Sequence, residues 1–206
     1  GLPGSVAPLD KTGVARWAEL VGSLDALLCT SADLERYVAR HGPRPGLPRL
    51  CYCADYRYPG LRLDCQSAVA DCPRDDGRFV TMVSPCAAKG ISVLLSLADL
   101  MPEVPFLAVE TRWTKDLHIA ELRRRLNITI APATSDMEQD IYARTRILLV
   151  PSLWPEGFGL VALEASLLGI PVISTASGGL AEANACGLCF EAGAVYDAVA
   201  GELHFP

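Results

Sequence analysis

The stretch WPEGFGLVALEA, residues 154–165, sets two glutamates, Glu156 and Glu164, around a short glycine-bearing turn that runs into an apolar helix. Those residue types define a chemistry. A carboxylate accepts hydrogen bonds from hydroxyls, and its paired oxygens suit a vicinal diol. The first-turn amides of a helix have no partner inside the helix and attract a phosphate. Gly157 and Gly159 leave the backbone open to close approach. By the 3.6-residue period, Glu164 falls about one and a half turns into the helix. One carboxylate near a phosphate-binding helix end and one in the loop before it suit two separate sugars, a ribose and a transferred hexose. The ligand these residues fit is a nucleotide-sugar.

Two further loops point the same way. SPCAAKG, residues 84–90, places Lys89 at the start of a helix, where a cation beside an exposed helix end can hold a diphosphate. TASGGLAE, residues 175–182, carries Gly178 and Gly179, again permitting close backbone approach. Taken singly, each has a bland reading: a solvated helix glutamate, an exposed helix start, a turn. Together they are three loops carrying Gly, Lys and Glu, and each follows a strand of one parallel sheet. That is the arrangement of a binding site.

The elements that must position these loops are legible from Phe79 onward. RFVTMVS, PFLAVE, NITIAP, RILLVPS and PVIST read as strands, and KGISVLLSLADLM, KDLHIAELRRRL, SDMEQDIYART and GLVALEASLLG as helices. GGLAEANACG reads as a short turn or helix. Strands alternating with helices at these lengths predict an α/β fold, a Rossmann-like, doubly wound parallel sheet. Its ligands belong beyond the carboxyl ends of the strands. Before it, VARWAELVGSL, DALLCTS and ADLERYVARHG read as helix, strand and helix, the last capped by Ser31 and ended by Gly42. Residues 42–78, rich in Pro, Gly and mixed charge, read as a linker with one short strand, RLCYC.

Bulk composition excludes other classes. Of 206 residues, 50% are hydrophobic and 20% charged, so a core can form. The net charge of −6, with no basic run that stands out, speaks against a nucleic-acid or anionic-membrane surface. No apolar run approaches a bilayer span, and GLPGSVAPLDKTG lacks the pattern of a signal peptide. A cytoplasmic location is expected. Without an initiator Met, the chain reads as a piece of something longer. Eight cysteines, including Cys51-x-Cys53 and Cys186-x-x-Cys189, match no standard zinc spacing and read as reduced thiols used as small hydrophobes.

PSLWPEGFGLVALEASLLGIPVISTASGGLAE resembles the signature of retaining glycosyltransferases of the GT-B fold, family 4, with its two glutamates seven residues apart. VSPCAAKGISVLLSLADLMPEVPF resembles that family's first strand and helix. The resemblance covers 79 to about 193 and extends loosely to 14–41. It implies three regions: 1–41 as a remnant of an N-terminal acceptor-side domain, 42–78 as the interdomain linker, and 79–206 as a C-terminally truncated donor-binding domain. It further implies that Glu156 contacts the transferred sugar, Glu164 holds the ribose, and backbone amides of Phe158, Gly159 and Leu160 meet sugar and phosphates. Lys89 would stabilise the departing diphosphate. Ser84, Gly157, Gly178 and Gly179 complete the donor side. No metal and no cofactor beyond the donor are implied; the acceptor, a glycan, lipid or small molecule, is left open.

Two departures stand out. Where family members often carry Arg five residues before the Lys, this chain has Ser84. The acceptor domain's glycine-rich loop and histidine would precede residue 1, and neither His41 nor His118 matches that histidine. The chain alone is therefore expected to transfer weakly or not at all. The rival readings are a nucleotide-sugar-binding module without catalysis, and a sugar-nucleotide epimerase or starch synthase-like enzyme of the same fold. A dehydrogenase is disfavoured because no Gly-x-Gly-x-x-Gly follows a strand.

Overall fold

The computed structural model describes residues 19, 23–41, 49–51, 77–191, 195–197 and 202–204, with 49–51, 195–197 and 202–204 described through their backbone. β1 (Leu27–Cys29), α1 (Ala32–His41) and β2 (Arg49–Cys51) form a first unit, β1 and β2 pairing in parallel. The helix expected over VARWAELVGSL lies outside the described residues apart from Glu19, as does the linker apart from its strand.

The main sheet begins at β3 (Phe79–Val83). It continues through β4 (Phe106–Val109), β5 (Ile128–Ala131), β6 (Thr145–Val150), β7 (Val172–Thr175) and β8 (Leu188–Phe190). All its pairings are parallel, in the order β5-β4-β3-β6-β7-β8. The order runs outward from β3 one way and from β6 the other, so the topological switch lies between these two strands. Their carboxyl ends are where the crevice opens. A short antiparallel pair, β9 (Val195–Asp197) and β10 (Glu202–His204), follows.

Both faces of the central strands are covered, which is why these strands are mostly apolar. All four residues of β4 are buried. Phe106 and Ala108 face one way, into a cluster with Met82, Leu94 and Leu122. Leu107 and Val109 face the other way, into a cluster with Leu148, Leu163 and Leu180. The first cluster packs under α2 (Ile91–Leu100) and α3 (Asp116–Arg123), and the second under α5 (Leu160–Leu167) and α6 (Leu180–Ala183). Each such leucine contributes about 1.5–3 kcal/mol by leaving water.

Three local features differ from the sequence reading. SDMEQDIYART is not one helix. It divides into α4 (Met137–Asp140) and a 3₁₀ turn, Tyr142–Arg144, because the chain breaks at Ile141, with φ −118° and ψ −60°. The Tyr142 ring is thereby sent into the core. β8 was not foreseen: it has three residues, all exposed, and its apolar run is too short to stand out as a strand. Buried Asn184 ties it in, its amide donating to Ser174 Oγ at 2.8 Å and to the Leu188 carbonyl at 3.2 Å. The cysteines also divide. Cys29 and Cys86 are buried thiols outside any disulfide, as small hydrophobes should be, and Cys189 is a thiol but exposed. Cys186 is disulfide-bonded, contrary to the reduced-thiol reading, because spacing carries no information on connectivity.

His118 plays a local role. It is buried, and its Nδ1 accepts the Lys115 N–H at 3.0 Å, closing the start of α3. Burial first, and the Lys115 charge second, hold its imidazole below the ordinary 6.5. The unfolded chain takes up this proton at a higher pH than the folded chain does. Stability contributed by neutral His118 is therefore full above about 6.5 and falls as the pH drops below it. Urea titrations at pH 7.5 and 5.5 should show this loss in the wild type and a smaller one in His118→Gln.

Candidate functional site

The two loops at the switch point are laced together. The loop after β3 passes through a 3₁₀ turn, Ala87–Lys89, and ends at Gly90, which caps α2. The loop after β6 crosses it, with Leu153 and Trp154 N–H both donating to the Ala88 carbonyl, at 3.0 and 3.1 Å. Gly90 is in the left-handed region, φ 79°, and a Cβ there would stand 2.0 Å from the Pro151 carbonyl oxygen. Only glycine lets the loops approach so closely.

This lacing brings Lys89 and Glu156 together. Their side chains form a partly buried ion pair between Lys89 Nζ and Glu156 Oε1, although 67 residues separate them in sequence. The pair lies in the wall of a cavity of about 360 Å³, whose lining also includes Thr30, Gly157, Gly159 and Leu160. Gly159, φ 111°, caps α5, so the first-turn amides of that helix open onto the same space. Phe158 also lines it, while its side chain is buried in the core. A cation, a carboxylate and a helix N-terminus around one cavity can hold a phosphate group and a hydroxylated neighbour.

Glu164 faces a separate cavity, of about 310 Å³, lined also by Ser135, Asp136, Glu138 and Tyr142. The Tyr142 hydroxyl donates to Glu164 Oε2 at 2.9 Å, fixing the carboxylate. The two glutamates thus stand at different cavities.

The remaining candidates sit elsewhere. Ser84 lines neither cavity; it is buried, and its Oγ bonds Thr111 Oγ1 at 2.7 Å. It adopts φ 63°, a left-handed conformation that strains a residue with a side chain. Gly178 and Gly179 do allow close approach, but what approaches is protein. A Cβ on Gly178 would meet the Glu156 carbonyl at 2.5 Å, and one on Gly179 the Gly157 carbonyl at 2.7 Å. Sequence reasoning missed Thr30. It follows β1, far from the signature, and only the fold brings it to the cavity.

Residues 75–201 match the family described as glycosyl transferases group 1. The chain belongs to that family. Among curated relatives of this group 1 chain, the D-inositol 3-phosphate glycosyltransferase of Salinispora arenicola is 33% identical over 121 residues, covering 51% of the chain and 27% of that protein. The enzyme of the same name from Streptomyces bingchenggensis is 28% identical over 190 residues, covering 79% and 40%. The chain therefore spans well under half the length of these relatives. Among solved structures, Anabaena HepE in complex with UDP aligns with a TM-score of 0.67 at 20% identity, over 90% of this chain and 55% of its own. Sucrose-phosphate synthase from Thermosynechococcus elongatus aligns with a TM-score of 0.65 at 22% identity, over 93% and 50%. At these identities the likeness is one of fold, the Rossmann-like α/β fold of GT-B enzymes. Among the described residues no helix is long and apolar enough to cross a membrane.

Proposed function

We propose that this chain is the donor-binding part of a family 4 glycosyltransferase that moves a hexosyl unit from a nucleoside-diphosphate sugar to an acceptor, with retention and without a metal or other cofactor. The observation that carries the reading is the convergence of Lys89 and Glu156, from the two switch-point loops, at the N-terminus of α5. In this reading the diphosphate lies on the α5 amides and Lys89. The transferred sugar meets Glu156, and the ribose meets Glu164. As the bond to the sugar breaks, negative charge grows on the diphosphate, and a cation and amides already in place lower the barrier. The acceptor-side domain, the linker and a cytoplasmic location belong to the same proposal, and the disulfide at Cys186 counts against the last. Inositol phosphate, the substrate in the relatives' name, is the first acceptor to try.

Calorimetric titration with UDP-, GDP- and ADP-sugars tests the reading. One nucleotide class should bind saturably, and Glu164→Ala should weaken it roughly 10- to 150-fold, the worth of a charged hydrogen bond of about 1.5–3 kcal/mol. Absence of saturable binding to any of the three would overturn the proposal. A second reading, a binding module without catalysis, is favoured by Ser84, which puts a buried hydroxyl where the family often has Arg. Hydrolysis of the bound donor separates the two readings.

A further inference from the structure

Glu182, in α6, has no part in the donor site as described above. Its carboxylate accepts hydrogen bonds from two consecutive backbone amides far away in sequence, Ala32 N–H at 3.0 Å and Asp33 N–H at 2.9 Å. These are first-turn amides of α1, which lack partners inside the helix. Ser31 already caps the same helix, its Oγ accepting the Leu34 N–H at 3.1 Å. Ser31 is fully buried and lies flat on Gly179, where an added Cβ would come within 2.7 Å of the Ser31 Cβ. So α1 is held twice, once by its own serine and once by a carboxylate from the far end of the chain.

The loop just before α6 also holds Glu156. Gly179 N–H donates to the Glu156 carbonyl at 2.8 Å, and Glu156 N–H to the Ser177 carbonyl at 3.3 Å. Gly178 and Glu156 form a parallel bridge. On the α1 side, Thr30 Oγ1 donates to the Gly157 carbonyl at 2.9 Å, and Thr30 lines the Lys89–Glu156 cavity. Residues 177–182 therefore lie between the start of α1 and the backbone that carries Glu156.

We infer that Glu182 is a positioning residue for the transfer site: by holding the first turn of α1 on the 177–179 loop, it fixes Glu156 relative to Lys89 and presents Thr30 to the cavity. The inference rests on the donor-site reading above. A cap that served α1 alone, completing at Ala32 and Asp33 what Ser31 does for Leu34, would leave the Glu156 backbone untouched. Two charge-assisted bonds across the joint instead tie the β1–α1 unit to the donor loop.

The test compares Glu182→Ala and Glu182→Gln with wild type in the full-length protein. In Glu182→Ala, amide hydrogen exchange should quicken about tenfold or more at Ala32, Asp33 and Gly179, with Leu107 in β4 unchanged. The UDP affinity, set by Lys89 and Glu164, should stay within about twofold of wild type. The kcat for donor turnover should fall about tenfold or more while the donor KM holds, because a displaced group costs rate more than binding. Glu182→Gln keeps one carbonyl acceptor and should recover most of that kcat. Faster exchange at Ala32 and Asp33 with Gly179 and kcat unmoved would overturn the inference and leave Glu182 a plain helix cap. Failure of wild type to bind UDP, GDP and ADP alike would instead sink the donor-site reading, and Gly179 exchange would still decide whether Glu182 ties the two loops.

Discussion

Gly90→Ala is expected to cost about 2–5 kcal/mol of folding stability. The left-handed conformation alone costs a residue with a Cβ about 1–2 kcal/mol. The new methyl would also stand 2.0 Å from the Pro151 carbonyl oxygen and 3.0 Å from its carbon, so backbone must move. Overpacking of this kind costs about 1–3 kcal/mol more. For a chain of this size the midpoint of thermal unfolding should fall by roughly 5–20 °C. The displaced loop is the one that supplies Lys89, and its partner is the one that supplies Glu156, so donor binding should weaken as well. Gly157→Ala is the control. Its φ is not positive, and its Cβ would come only to 3.3 Å of Thr30 Oγ1, so it should cost under about 1 kcal/mol. Chemical denaturation of the three proteins checks this, and a Gly90→Ala protein as stable as wild type would show that the loops are not packed as described.

Lys89→Ala should weaken UDP binding about 10- to 150-fold with little change in stability, since a charged hydrogen bond to phosphate is worth about 1.5–3 kcal/mol. Part of that loss should shrink as salt is raised, because Lys89 is only partly buried and its field is screened. The ion-pair partner of Lys89 gives a sharper contrast. Glu156 holds the Lys89 ammonium and also repels an incoming diphosphate. Glu156→Gln removes both effects, so UDP without its sugar should bind at least as tightly as to wild type, while the UDP-sugar loses its contact. Calorimetry with UDP and UDP-glucose on both variants reads the two effects separately. Unchanged UDP affinity in Lys89→Ala would exclude the diphosphate from this cavity.

The alternation of strands and helices from Phe79 onward was plain in the sequence, because strands covered on both faces must be apolar and the turns between them carry Gly and Pro. The glutamate pair was plain too, since its residue types and its place ahead of an apolar helix are local facts. The break at Ile141 escaped because helical periodicity runs on through it. It is tertiary packing that takes Tyr142 into the core and sets its hydroxyl on Glu164. β8 escaped because an exposed three-residue edge strand has no pattern of its own, only its pairing with β7. Lys89 was legible as a cation at a helix start, but its meeting with Glu156 depends on the parallel order that sets β3 beside β6. Gly178 and Gly179 were legible as places of close approach. That the approaching group is the backbone of Glu156 and Gly157, with Ser31 behind it, is a long-range contact that spacing does not encode. Thr30 and Glu182 belong to the same class. The sequence alone determined the α/β alternation and the residue types at the strand ends, because these follow from local period and local chemistry. The tertiary structure alone decided which loops meet and which carboxylate faces which cavity, because those depend on strand order and on contacts between residues 22 to 150 positions apart.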